Sequence, residues 1–321
     1  MDQTELTPSA PERPDDIKAV QVRRPGRWIA VFVVLVCSAS FIRFVIADSA
    51  MHWNVVGQYL FDSRVLDAVV RVIYLSVLSM LIGVILGVIL AVMRLSPNPV
   101  LKSVSWIYIF VFRGTPLLVQ ITFWYNIAAL FPAPHHLIDI GIPFGPALIH
   151  PNANSLITIF IAALLGLSFN EGAYMAEIVR AGIISVPEGQ SEAAASLGMG
   201  RMQIMRRIVL PQAMRVILPP TGNEFISMLK NTSLAQVIAY AELYFVTEDI
   251  ASVNFEVPQM LIVGSIWYLA LTSVAYVGQY FLERKVSQGF SRAEQRTLAQ
   301  RWLSIEMMST WRRNSPWGWW R

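Results

Sequence analysis

Five polar side chains stand inside or at the edge of long apolar runs: Asn170, Glu171, Asn223, Glu224 and Lys230. A polar group in such surroundings is expensive, so function is its default explanation. Their chemistry is recognition rather than bond making. A carboxylate at Glu171 can accept hydrogen bonds from an ammonium group, and Lys230 can face a carboxylate. A zwitterion carries both groups. An internal role fits as well, with Glu171 pairing with Lys230 or both meeting backbone groups at a subunit seam. Catalytic chemistry has little to build on. The four histidines (His52, His135, His136 and His150) lie in connecting segments without H-E-x-x-H spacing, so no metal site is expected. The single cysteine, Cys37, sits in an apolar run and can form neither an internal disulfide nor a cysteine metal cluster. There is no G-x-S-x-G motif and no intramembrane Ser/His pair, so no catalytic residue is assigned. There is also no G-x-x-x-x-G-K-[ST] loop, so the chain is not expected to cradle nucleotide phosphates itself.

The elements that must position these side chains follow from composition. Of 321 residues, 55% are hydrophobic and 14% charged, with mean hydropathy +0.51. Soluble domains carry roughly a quarter charged residues. A deficit this large makes lipid the solvent for most of the chain. The net charge of +4 is informative through its placement, and no nucleic-acid partner is expected. Residues 1–27, with mixed charges and no apolar period, read as a disordered cytoplasmic N-terminus. The run 28–47 is too long for a signal-peptide core and reads as a retained membrane helix. Further spans are expected at 69–93, where Gly83 and Gly87 would let a helix approach closely, and at 155–179 and 258–282. The run 104–131 is about 28 residues and exceeds the roughly 20 needed to cross. Arg113-Gly114-Thr115-Pro116 breaks it, placing 104–112 along the cytoplasmic interface and a span at 115–131. Residues 212–229 contain Arg215, Pro219, Pro220, Asn223 and Glu224, and hydropathy barely admits them. Charge asymmetry decides. Arg94, Lys102, Arg113, Arg180, Arg201, Arg206 and Arg207 mark one side, while 135–154 has no Lys or Arg and 240–257 has four acids and no base. These faces separate only if 212–229 crosses, giving six spans with both termini cytoplasmic. The tail, 285–321, is basic and rich in Trp, which suits the lipid headgroup boundary.

Residues 185–211 lie on the basic side and are too polar to insert. Pro187 suits a helix start, and Glu188 follows in the first turn, where a carboxylate complements the helix dipole. Ala193, Ala194 and Ala195 favour helix, and Gly198 permits a sharp turn. A second helix is expected over about 201–208, ending at Pro211. From physics alone this is either a docking element or an amphipathic loop.

The segment resembles the EAA loop of ABC-importer permeases, whose pattern is E-A-A, three residues, G, nine residues, I-x-L-P. Glu192-Ala193-Ala194, Gly198 and Ile208-Val209-Leu210-Pro211 stand at those spacings. Three further stretches resemble the polar amino-acid branch of that family: 113–120 (RGTPLLVQ), 171–182 (EGAYMAEIVRAG), and 218–226 (LPPTGNEFI) with 229–234 (LKNTSL). One departure is Asn231, where an acid is expected after the lysine. The resemblance covers 65–284. It implies an all-α integral membrane fold, the type I ABC importer transmembrane domain, with five core helices and 28–47 as an added one. It implies a permease moving a polar amino acid across the bacterial cytoplasmic membrane. The expected partners are an ABC ATPase dimer carrying ATP and Mg²⁺, a second permease copy (identical or a close paralogue), and an extracytoplasmic solute-binding protein. Coupling to the ATPase falls on Glu188, Gly189, Glu192, Ala193, Ala194, Gly198 and Arg201, and Gln120 joins the substrate pathway. The rival reading is an ATPase-independent secondary transporter. Such folds usually repeat one half, and 65–131 does not match 155–282.

Overall fold

The computed structural model describes residues 25–47, 51–130, 140–141, 147–149 and 152–286. Helix α1 (Pro25–Ala47) falls in a compact unit that ends at His52, and the rest of the fold begins at Trp53. That second unit opens with α2 (Trp53–Leu60) and α3 (Ser63–Leu95). The Asp62 carboxylate accepts from the Arg64 N–H at 2.9 Å and starts α3. Next come α4 (Pro99–Gly114) and α5 (Leu117–Tyr125), then a small antiparallel pair, β1 (Ile140–Gly141) and β2 (Ala147–Ile149). The short α6 (Ala153–Leu156) precedes α7 (Ile159–Ile184), which the Thr158 hydroxyl caps by accepting from the Ile161 N–H. The remaining helices are α8 (Glu188–Ser196), α9 (Arg201–Ile204), α10 (Leu210–Asn231), α11 (Leu243–Asn254) and α12 (Val257–Val286).

The core is built around α7. In its most apolar stretch 61% of residues are buried, against 44% in α3 and 22% in α12. The large apolar side chains of α3 and α12 that face outward, among them Val70, Leu81, Ile85, Leu269 and Val274, suit lipid rather than water. Helices α3 and α7 run parallel, because Gly83 faces Glu171 and Gly87, one turn on, faces Met175. Neither glycine has room for a side chain, so the two backbones approach as the small residues of 69–93 lead one to expect. At the far end of α7, Gly182 takes Ile217 of α10 in the same way.

Among the described residues α3, α7 and α12 are each long and apolar enough to cross a membrane, and the bent pair α4 and α5 is so when counted as one. The break at Arg113–Pro116 is where the sequence puts it, but the helix beyond it has nine residues, about 14 Å. Its axis turns 103° from that of α4, and a 3₁₀ turn (Ile127–Leu130) continues the run. Helix α10 has 22 residues, about 33 Å, but is as polar as its sequence indicates. One expectation needs correction: no helix ends at Pro211. Helix α9 passes through a π-turn (Met205–Val209) directly into α10. Proline lacks an N–H and its ring crowds the carbonyl one turn back, and the wider i→i+5 register, with the Leu210 N–H on the Met205 carbonyl, accommodates it. Helix α10 also continues through Pro219 and Pro220. The readings of 1–24 and 287–321 lie outside the described residues.

Candidate coupling element and intramembrane polar site

Helix α8 starts at Pro187 and is closed by a Schellman turn. The Met199 N–H reaches the Ala194 carbonyl at 3.2 Å and the Gly198 N–H reaches the Ala195 carbonyl at 2.9 Å. This turn requires the left-handed backbone found at Gly198, φ +81°, where nothing lies within 4 Å of an added Cβ. Glycine is therefore needed for its conformation, not for space. Of the expected coupling residues, Glu188, Gly189, Glu192, Ala193, Gly198 and Arg201 are exposed. Ala194 is buried and anchors α8 from within. The Gln212 amide donates to the Gln190 side-chain oxygen at 3.1 Å and the Ile208 carbonyl at 2.9 Å, tying α8 to α10. The exposed helix is thus fixed to a rod that runs through the π-turn to Asn231.

The same rod carries three of the five polar residues, Asn223, Glu224 and Lys230. Glu224 lies within electrostatic reach of Glu171 on α7, and Arg113 at the end of α4 within reach of Glu224. Arg113 itself sits over the Tyr174 ring, 5.1 Å from its centroid. Three helices therefore converge on one mixed-charge site. Glu171 is 4% exposed, and its Oε1 has no hydrogen-bond partner. The buried hydroxyls of Ser79 and Ser168, one turn away on α3 and α7, are also unpartnered. No ion pair joins Glu171 to Lys230, which is exposed at the end of α10.

The amides among the expected pathway residues have partners within the chain. Gln120 is buried, and its amide donates to the Phe112 and Thr115 carbonyls at 2.9 and 3.1 Å and to the Thr115 hydroxyl at 2.8 Å. Asn170 adds a second donor to the Phe112 carbonyl at 2.9 Å. Both amides satisfy acceptors that the α4–α5 bend releases, as buried carbonyls require. Phe112 also stacks on Tyr108, 4.4 Å between centroids, and meets Phe169 edge-on. The Asn223 oxygen accepts from the buried Gln279 amide at 3.0 Å, which also donates to the Pro219 carbonyl at 3.2 Å. Sequence reasoning missed Gln279 and Tyr174. Gln279 gave the same signal as Asn170, a lone amide in an apolar run; Tyr174 gave none.

Residues 83–288 match the family model described as "Binding-protein-dependent transport system inner membrane component". The chain is 47% identical over 282 residues to the arginine transport system permease protein ArgU of Corynebacterium glutamicum, covering 87% of this chain and 86% of that one. It is 35% identical to the L-cystine transport system permease protein TcyB of Bacillus subtilis, covering 75% and 93%. Among solved structures, one titled "Crystal structure of an amino acid ABC transporter with histidines" superposes with TM-score 0.60 at 34% identity, covering 71% of this chain and 97% of that one. The fold is the transmembrane domain of type I ABC importers, as the EAA spacing implied. The chain belongs to the binding-protein-dependent transport system inner membrane component family: it is the integral inner-membrane permease subunit of an ABC importer, not an enzyme, and works with an ATPase and a solute-binding protein.

Proposed function

We propose that this permease admits a polar amino acid, that L-arginine is the first substrate to assay, and that α8 is the lever driven by the ATPase. The substrate reading is supported by the arginine-system relative at 47% identity and by the two carboxylates, Glu171 and Glu224, which suit a cationic amino acid. One observation carries the mechanism. Exposed α8 is bonded to α10, and α10 holds Asn223 and Glu224 about 22 Å further on, at 1.5 Å per residue from Val209. Displacing α8 therefore moves the polar site as part of a rigid body. In this scheme Glu188, Gly189, Glu192, Ala193, Gly198 and Arg201 meet the ATPase, and Ala194 holds α8 in place. Glu171, Glu224, Asn223 and Lys230 line the path, and Gln120 and Asn170 hold the bend beside it. ATP and Mg²⁺ stay on the ATPase, and this chain carries no cofactor. Two copies, or one copy and a close paralogue, form the pathway. Both termini are cytoplasmic, 28–47 crosses the membrane as an added helix, 65–284 is the permease domain, and 285–321 lies along the headgroups.

Vesicles reconstituted with the permease, its ATPase and the binding protein should accumulate L-arginine only with internal or external ATP on the ATPase side. Accumulation without the ATPase would make the protein a secondary transporter. ATP-driven uptake of other solutes with no response to any amino acid would remove the substrate assignment.

A further inference from the structure

A pocket of about 1040 Å³ opens between the N-terminal part of α3, the end of α5, the start of α7 and the turn before α11. Thr158 lines it, and α7 carries the chain about 39 Å from there to its other end at Ile184, where the coupling segment begins. The pocket is therefore at the end of the subunit remote from the ATPase, where a solute-binding protein delivers its cargo.

Its lining is selective. Arg71 is the charged side chain on it, beside Asn126, Thr158, Phe160 and Tyr240. One guanidinium N–H of Arg71 donates to the Ala241 carbonyl at 3.0 Å, which fixes the head group, while the residue as a whole stays exposed. Asp67, one turn back on α3, is exposed and makes no ion pair with Arg71, and Glu242, next to Ala241, is fully buried. Its carboxylate accepts from the Tyr244 and Phe245 N–H groups at 2.8 Å and from the Tyr268 hydroxyl at 2.6 Å, so it does not neutralise Arg71 across the pocket. Phe160 lies between Tyr74 and Tyr240, with centroids 5.6 and 6.0 Å away, forming an aromatic wall. The wall depends on an unfavourable backbone. Ala239 is left-handed, φ 56°, a conformation unfavourable for an L-residue and retained where surrounding structure enforces it. That turn puts Tyr240 on the wall and the Ala241 carbonyl on Arg71.

We infer that this pocket is a receiving site for the carboxylate of a free amino acid, with Arg71 as its ligand and Phe160 and Tyr240 against the aliphatic part. The inference deepens the proposed function and rests on its amino-acid reading. The test is equilibrium binding of radiolabelled L-arginine, and of agmatine (the same molecule without its carboxyl group), to the permease–ATPase complex in phosphatidylcholine nanodiscs without binding protein. Arg71→Gln should raise the Kd for arginine about tenfold and leave that for agmatine unchanged, and Arg71→Lys should recover part of the loss. Gln can keep a donor on the Ala241 carbonyl, and gel filtration checks that the complex stays assembled. An unchanged arginine Kd, or equal losses for arginine and agmatine, would overturn the assignment. So would phosphatidylglycerol nanodiscs that suppress arginine binding in the wild type but not in Arg71→Gln, because the site would then belong to a lipid headgroup. If the reconstituted wild type accumulated no amino acid at all, the substrate reading would fall, and this site with it.

Discussion

Replacing Gly87 with alanine should destabilise the subunit, although alanine is the better helix former by about 1 kcal/mol. A Cβ at residue 87 would meet the Met175 Cβ and stand 2.9 Å from both the Ala176 nitrogen and the Met175 carbonyl carbon. The last two are backbone atoms of α7 and cannot swing aside. Restoring ordinary contact separates α3 from α7 by roughly half an ångström along a close-packed seam, which also weakens dispersion contacts beside it. Overpacking of this kind costs about 1–3 kcal/mol, and a rigid obstacle puts it near the upper end. The net loss is about 1–2 kcal/mol. Gly278 on α12 is the control, because nothing lies within 4 Å of its added Cβ and the propensity gain stands alone. Thermal unfolding of the detergent-solubilised complex, followed by fluorescence-detected gel filtration, should put Gly87→Ala about 3–6 °C below wild type and Gly278→Ala slightly above it. If Gly87→Ala were as stable as Gly278→Ala, the parallel contact of α3 and α7 would be wrong.

Gln120→Leu removes the donor shared by the Phe112 and Thr115 carbonyls and should cost about 1–3 kcal/mol, read as a lower unfolding midpoint; an unchanged midpoint would mean that the bend does not depend on this amide. Burial raises the pKa of the Glu242 carboxyl, against hydrogen bonds from Tyr268, Tyr244 and Phe245 that lower it. A raised folded-state pKa gives stability that is present below the unfolded value, about 4.5, and lost as pH rises through the folded value. The midpoint advantage of wild type over Glu242→Gln should therefore shrink from about pH 4.5 upward, and an advantage that grows with pH would contradict this. Reporter fusions at Pro14 and Gln288 should both give cytoplasmic signals; an external signal from either would remove a span.

The break at Arg113–Pro116, the start of α8 after Pro187 and the turn at Gly198 were legible in the sequence because each is local: prolines and a glycine act on their own few residues. The EAA spacing carried the family. What the sequence did not reveal depends on partners distant along the chain. An intramembrane amide such as Gln120 signals only that it needs partners, and whether these are a substrate or the carbonyls of a bend is settled by packing. Glu171 and Lys230 were a possible pair by charge, yet α7 turns Glu171 toward Gly83 while Lys230 ends α10 in the open. A π-turn is invisible to hydropathy, so Pro211 looked like a helix end when the helix passes through it. The pocket beside Arg71 depends on Ala241, far along the chain, and no local pattern announces it.

The coupling assignment is tested most directly at Gly198 and Glu192. Gly198→Asp places a side chain at φ +81°, costing about 1–2 kcal/mol locally and misaiming α8, while Glu192→Lys reverses an exposed charge on that helix. Both residues are exposed and outside the apolar helices, so both variants should be inserted at normal abundance. In complexes reconstituted with the ATPase and binding protein, substrate-loaded binding protein should no longer stimulate ATP hydrolysis, and uptake should be lost. Wild-type stimulation and uptake by the Gly198→Asp complex would show that 185–211 does not transmit force from the ATPase.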